Sequence, residues 1–271
     1  MLVTMTLGPE LIPLSEKALA PIARLYDESL YLQAYNLAIR HGSLQTWQGS
    51  AARVLAGQLA GQLGASKLRR TLHILAWRQN RAHPESFCHY VYSLWETQGL
   101  YAAWNRMEHM PDFPALSSRE HGHLLCLWTS IYYSFRDFEQ ARENIDQALH
   151  LCPEDPWVWV IQSRLFSTED RYDEALDSAE KALSLQPKSR NAIATVAHLL
   201  KLQNRAPEAI TLLQSNTQEL ESAELVGMLA QLYLELEQYA IAQQTYEQGL
   251  KLSPLAAVSY THLTLPTIYS V

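Results

Sequence analysis

Apolar and small residues return along this chain at a fixed interval. In RDFEQARENIDQALHLCPEDPW (136–157), Ala141, Ala148 and Pro153 are answered 34 residues later by Ala175, Ala182 and Pro187 of DRYDEALDSAEKALSLQPKSRN (170–191). LEQYAIAQQTYEQGLKLSP (236–254) keeps the same internal spacing with Ala242, Gly249 and Pro254, and NRAPEAITLLQ (204–214) supplies Ala209 and Leu213 in phase. Within each copy the apolar positions fall three or four apart. That is the stripe of a helix and not the alternation of a strand. The N-terminal half keeps the rhythm more weakly. Tyr31, Ala34 and Ala38 fall in phase in ESLYLQAYNLAIRHG (28–42), Gly57 and Ala76 in the stretch 50–80, and Phe87, Tyr90, Leu94 and Ala103 in PESFCHYVYSLWETQGLYAAWNRM (84–107). Units then begin near 15, 50, 84, 122, 156, 190 and 223.

These residues resemble the tetratricopeptide repeat, a 34-residue helix–turn–helix. The resemblance implies apolar residues at repeat positions 4, 7, 11, 17 and 24, small residues at 8, 20 and 27, and often a proline near 32. The first helices of the better copies carry Leu125, Trp128 and Tyr132, then Trp159 and Phe166, then Ile193, Val196 and Leu200, then Val226, Leu229 and Tyr233. Small residues at 20 and 27 let paired helices approach, and aromatics such as Tyr246 fill the space beside them. One pair cannot cover its own apolar faces, but stacked pairs can. The expected fold is all-α: a right-handed alpha-alpha superhelix, TPR-like, of about seven helix pairs. Some positions depart from the pattern. Position 8 is Thr129 and Ser163, position 7 of one copy is Gln162, and Asn216 stands where a small apolar residue belongs, which suggests looser packing there.

Along the chain this gives a lead segment at 1–14, degenerate repeat-like pairs at 15–117, well-formed repeats at 118–256 and a tail at 257–271. The Pro-broken stretch EHMPDFPALSSREHG before the fourth unit reads as a one-off loop. The tail loses the helical period. Ser259 to Thr267 can be back-translated into what resembles a sequencing adapter read through into the frame, so the tail is expected to be non-native and the chain a fragment of a longer gene.

Composition narrows the function. Net charge is −7, and the densest basic cluster, Lys67-Leu68-Arg69-Arg70, is a single helical turn, so nucleic acid is not expected as a partner. No apolar run approaches the length that spans a bilayer, so no membrane partner is expected. Three widely spaced cysteines, Cys88, Cys126 and Cys152, build no disulfide framework and read as reduced thiols in a cytoplasmic protein. Gly57, Gly61 and Gly64 follow no strand, so they do not form a dinucleotide fingerprint. Gly57 reads as a close helix contact and Gly64 as the turn between paired helices.

Catalytic chemistry finds little support. His121, His123 and Cys126 have metal-binding residue types but lack a fourth ligand and a common face, so no metal or other cofactor is expected. Cys88 and His89 are adjacent, which on a helix turns the two side chains about 100° apart. The carboxylates Glu169, Asp170, Asp173, Glu174, Asp177 and Glu180 match a solvated outer face, and an open helical ramp offers no enclosed cleft for acid–base work.

The family resemblance places a ligand in the concave groove lined by the first helix of each pair, at positions 2, 5, 9, 12 and 13. Carried onto this chain, these give His123, Cys126, Ser130, Tyr133 and Ser134, then Trp157, Val160, Arg164, Ser167 and Thr168. The later copies give Asn191, Ala194, His198, Lys201 and Leu202, then Glu224, Gly227, Gln231, Leu234 and Glu235. Trp157, Arg164, His198, Lys201, Tyr133 and His123 are the candidate binding residues, an aromatic anchor beside local positive charge. The chaperone-tail clamp of one TPR subgroup needs a basic residue and asparagines where this chain has Val160, Ile161 and Arg164, so that ligand is not expected. The main expectation is a non-catalytic scaffold that binds a protein or peptide. The N-terminal half also resembles the TPR arm of bacterial proteins that carry a downstream papain-like or transglutaminase-like domain, which would make this chain a regulatory arm. A purely structural spacer is the third reading.

Overall fold

The computed structural model describes residues 11–256. It contains fourteen α-helices in seven antiparallel pairs. The pairs are α1 (Glu16–Asp27) with α2 (Tyr31–Ala38), α3 (Ser50–Gln62) with α4 (Ser66–Gln79), and α5 (Pro84–Gln98) with α6 (Leu100–Glu108). Then come α7 (Ser118–Ser134) with α8 (Phe138–Leu151), α9 (Pro156–Thr168) with α10 (Tyr172–Leu185), α11 (Arg190–Leu202) with α12 (Ala206–Thr217), and α13 (Ala223–Glu235) with α14 (Tyr239–Lys251). A parallel bridge between Ile12–Pro13 and Trp47–Gln48 is the one strand pairing among the described residues. The adapter-like tail lies outside the described residues.

The same turn recurs between the two helices of each pair. A residue with positive φ ends the first helix in all seven: Ser29, Gly64, Gly99, Arg136, Asp170, Asn204 and Glu237. Six of the seven close with the long-range amide bond of a Schellman ending. In Asp170's turn, for example, the Arg171 N–H donates to the Phe166 carbonyl at 2.9 Å, and in Glu237's turn the Gln238 N–H donates to Tyr233 at 2.9 Å. Gly99 is the exception, with its N–H on the Trp95 carbonyl. Helix starts are set by side-chain caps at Ser15, Asp137, Asp155, Ser189 and Ser222, and by a full capping box between Ser117 and Glu120.

The small residues of the pattern lie where helices touch. Ala141, Ala148, Ala175, Ala182 and Ala209 are fully buried, as are Ala34 and Ala38 in the first pair. Polar departures from the pattern do not loosen the stack. Thr129 and Ser163 have no exposed surface, and the Ser163 hydroxyl donates to the Ala175 carbonyl of the paired helix at 2.7 Å. Gln162 accepts a hydrogen bond from Ser178 across the same pair. The Pro-broken stretch before α7 holds Phe113, buried edge-on against Phe87, and α7 itself is longer than its counterparts. Tyr246 differs from its expected role: it is 42% exposed on α14, because no described helix covers that face.

Gly57 and His73 explain one of the close contacts. A Cβ on Gly57 would sit 2.4 Å from the His73 ring, so α4 can approach α3 only over a glycine. Gly64 combines a φ of +92° with the nearby backbone of Ala256, from the far end of the described chain. That contact is not isolated. The Leu255 N–H donates to the Leu63 carbonyl at 3.0 Å, and Leu255 packs on the N-terminal core. The sequence suggested an open ramp. The structure instead brings the first two pairs back against the last three.

Candidate functional site

The first helices α7, α9, α11 and α13 line an open depression of about 420 Å³ on the inner face. Its walls include Tyr133 from α7, Arg164, Ser167 and Thr168 from α9, Ala194, Thr195 and His198 from α11, and Glu224 and Met228 from α13. Three of the six candidate residues, Tyr133, Arg164 and His198, therefore meet in one place. They do so because positions 9 and 12 of successive repeats point the same way once the helices stack in register.

Arg164 is the central charge. It is exposed and has no carboxylate partner among the described residues, and its guanidinium lies 5.3 Å from the Trp157 ring centre. Trp157 is half-buried and packs on two neighbouring core clusters. It thus fills space and also presents a ring face to Arg164. The seal against the preceding proline turn is made by Trp159 instead, whose indole N–H donates to the Pro153 carbonyl at 2.7 Å. His198 is held below its usual range by burial first, with Lys201 and Arg164 adding to the effect, so it is neutral at pH 7. Both groove threonines are occupied by their own helices: Thr168 donates to the Arg164 carbonyl and Thr195 to the Asn191 carbonyl. Glu224 is paired with Arg190. At neutral pH the free charge of the depression is therefore the Arg164 cation.

The other candidates lie elsewhere. Lys201 is committed to Glu235 at 2.5 Å, across to the next repeat, and does not line the depression. His123 sits at the edge of the stack, with its Nε2 2.9 Å from Asp155. Asp155 also caps α9 through the Trp157 N–H at 2.9 Å and meets Arg119 at 3.2 Å. Burial acts to raise the Asp155 carboxyl, but the His123 hydrogen bond and the Trp157 N–H outweigh it, and the group lies below the usual carboxylate range. Cys126 and Val160, placed on the concave face by repeat position, are buried at 0% and 1% exposure, because the helices converge at that point. Thr195 and Met228, both at repeat position 6, line the depression although the family positions do not point to them. The one available sign in the sequence is their place one turn before position 9 or 10 of the same helix.

Nothing in the depression resembles an oriented nucleophile and base. Burial pushes the half-buried Cys88 thiol up to about 12, with Glu85 reinforcing the shift, and His89 is lowered by burial. All three cysteines are free, and among the described residues no three His, Cys, Asp or Glu side chains cluster as metal ligands would. No helix among the described residues is long and apolar enough to cross a membrane.

Comparison with known proteins agrees with this geometry. One tetratricopeptide repeat model matches residues 130–192 and another matches 223–254. A thermophilic TPR protein of Thermus thermophilus superposes with a TM-score of 0.55 at 16% identity, covering 68% of this chain and 99% of that one. Yeast Tom70 superposes with a TM-score of 0.52 at 17% identity, covering 84% of this chain, and the match spans 48% of Tom70. No curated protein sequence matches the chain. The chain thus carries tetratricopeptide repeats at 130–192 and 223–254, and its helix pairs share one turn geometry along the stack.

Proposed function

We propose that the chain is a non-catalytic scaffold whose inner groove binds an extended protein segment bearing a carboxylate. One observation carries this reading. Arg164 lines a depression, has no carboxylate partner among the described residues, and is steadied by the face of Trp157. A guanidinium so placed can take a carboxylate through two parallel hydrogen bonds, which gives direction as well as attraction. Tyr133 supplies a ring beside it, and Met228 an adaptable apolar wall for a neighbouring side chain. The well-formed repeats between 118 and 256 hold this groove, and the earlier pairs brace it. Free thiols at Cys88, Cys126 and Cys152 support a reducing, cytoplasmic setting.

The test is an array of immobilised peptides carrying C-terminal or side-chain carboxylates, with matched amides, probed with the purified chain. Carboxylate-dependent capture that Arg164→Ala abolishes supports the proposal. Capture that is indifferent to the carboxylate, or to Arg164, counts against it.

A further inference from the structure

We infer that the solenoid is clasped shut by its own first helix pair, and that the clasp confines the inner groove to partners that enter as a single extended segment.

The clasp is built around the α1–α2 turn. Ser29 sits there with φ +59° and is almost fully buried, whereas Arg136, Asp170, Asn204 and Glu237 are exposed at the same place in later turns. Its hydroxyl donates to the Lys188 carbonyl at 2.9 Å, and its carbonyl accepts the Glu221 N–H at 3.0 Å. Beside it the Gln186 side chain donates to the Asp27 carbonyl at 3.1 Å. Glu221 completes the joint. Its carboxylate accepts from the Leu32 N–H at 2.7 Å and the Gln33 N–H at 3.1 Å, and it also meets the Gln33 side chain. These amides belong to the first turn of α2, where a helix has no carbonyl of its own to offer. The N-cap residue of α2, Leu30, makes no side-chain cap. A carboxylate from 189 residues away therefore does the work of a local cap, in the place where the helix dipole favours negative charge. The Leu63–Leu255 hydrogen bond and the contact of Gly64 with Ala256 extend the same joint to the second pair.

The loops that receive this edge connect α10 to α11 and α12 to α13, which are the repeats that carry Arg164, His198 and Met228. The rim beside the groove is thus bridged by the first pair. A folded domain cannot settle on it broadside, whereas one extended strand of polypeptide can run along it.

Amide exchange of Leu32 and Gln33 reads the clasp directly and needs no ligand. Both amides should be protected in the native chain, and Glu221→Ala should speed their exchange by about tenfold or more while the amides of α10 stay unchanged. Ser29→Ala, which removes the Lys188 bond and the acceptor of the Tyr31 hydroxyl but leaves Glu221 in place, should give a smaller acceleration. Fast exchange of both amides in the native chain overturns the clasp whatever the groove binds. The entry rule rests on the groove reading and has its own test. His198→Cys is reacted with a maleimide carried on a short Gly/Ser peptide or on a small globular protein, with the parent chain as the blank. The peptide reagent should react at least about tenfold faster, and Glu221→Ala should narrow the gap. Equal rates for the two reagents in the clasped chain overturn the confinement and leave the carboxylate array result standing.

Discussion

The imidazole of His73 on α4 lies 4.5 Å, centre to centre, from that of His89 on α5, with the two rings tilted by 35°. His73 is 2% exposed, and neither of its ring nitrogens has a hydrogen-bond partner. Burial, reinforced by His89 and Arg69, drives its pKa down to about 2. Gln58 meets His89 at 3.1 Å, and Glu85 approaches His89 from its own helix. Both rings therefore pack as neutral aromatic bodies between three helices, with Gly57 making room for the inner one.

This pair sets an acid limit on stability. The folded pKa of His73 lies far below its unfolded value near 6.5, so the unfolded chain binds the extra proton. The stabilisation is whole above about pH 6.5 and drains away as pH falls toward the folded value, with a slope approaching about 1.4 kcal/mol per pH unit from this residue. Denaturant melts at pH 7.5, 6.5, 5.5 and 4.5 should show the fall, and His73→Leu should flatten it. An unchanged slope in that variant would place the acid sensitivity elsewhere.

The left-handed turn residues offer a stability gain. Glu237 holds a φ of +60°, a region that costs a side-chain-bearing residue about 1 kcal/mol and glycine almost nothing. Glu237→Gly should raise the melting temperature slightly or leave it level, although the unfolded chain gains freedom. Glu237→Val should lower it clearly, since a β-branched residue is poorest at that φ. A Val variant as stable as the Gly variant would mean that the turn relaxes.

Asp155 joins α7 to α9 through three partners, so its loss should exceed that of an ordinary cap. Asp155→Ala removes the α9 cap and leaves His123 and Arg119 without their carboxylate, and about 1–2 kcal/mol of destabilisation is expected. Its folded pKa is depressed, so the contribution is present above the unfolded value near 3.8 and is lost as pH falls through the folded one. The gap between Asp155→Ala and the parent should therefore shrink in melts taken below about pH 4, and a gap that persists there would refute the assignment.

Trp157 and Arg164 should separate when stability and binding are both measured. Trp157 touches two core clusters, so Trp157→Ala should lower stability by about 1–3 kcal/mol. Arg164→Ala gives up only an exposed cation–π contact of about 0.5–1 kcal/mol, yet it should abolish carboxylate-dependent capture. Because His198 is held neutral, affinity for a carboxylate ligand should be flat between about pH 8 and 6.5. A steep rise across that interval by calorimetry would show that His198 supplies charge there.

Much of the fold could be read along the chain because a solenoid is a problem of near neighbours. Each repeat unit contacts the units beside it, so small residues such as Ala148 and Ala182 mark helix contacts in the sequence itself. Even the degenerate pairs were readable from Tyr31, Ala34 and Ala38, all buried. The groove was readable in part for the same reason. Arg164 and His198 share repeat position 9, and register alone brings them onto one wall.

What the sequence could not determine depends on pairings between distant residues. Lys201 looked like a free cation, and only the tertiary structure sets Glu235 against it. Cys126 held a concave-face position, and only the convergence of neighbouring helices buries it. Nothing in the sequence singles out His73, and the close approach over Gly57 makes it a neutral core residue. Above all, the return of the first pair onto the last has no periodic sign. Ser29 and Glu221 lie in different repeats and obey no spacing rule, yet they meet because small rotations between seven stacked pairs add up until the edges touch. Local pattern determined each step of the stack, and the sum of the steps, which exists only in three dimensions, decided that the stack closes.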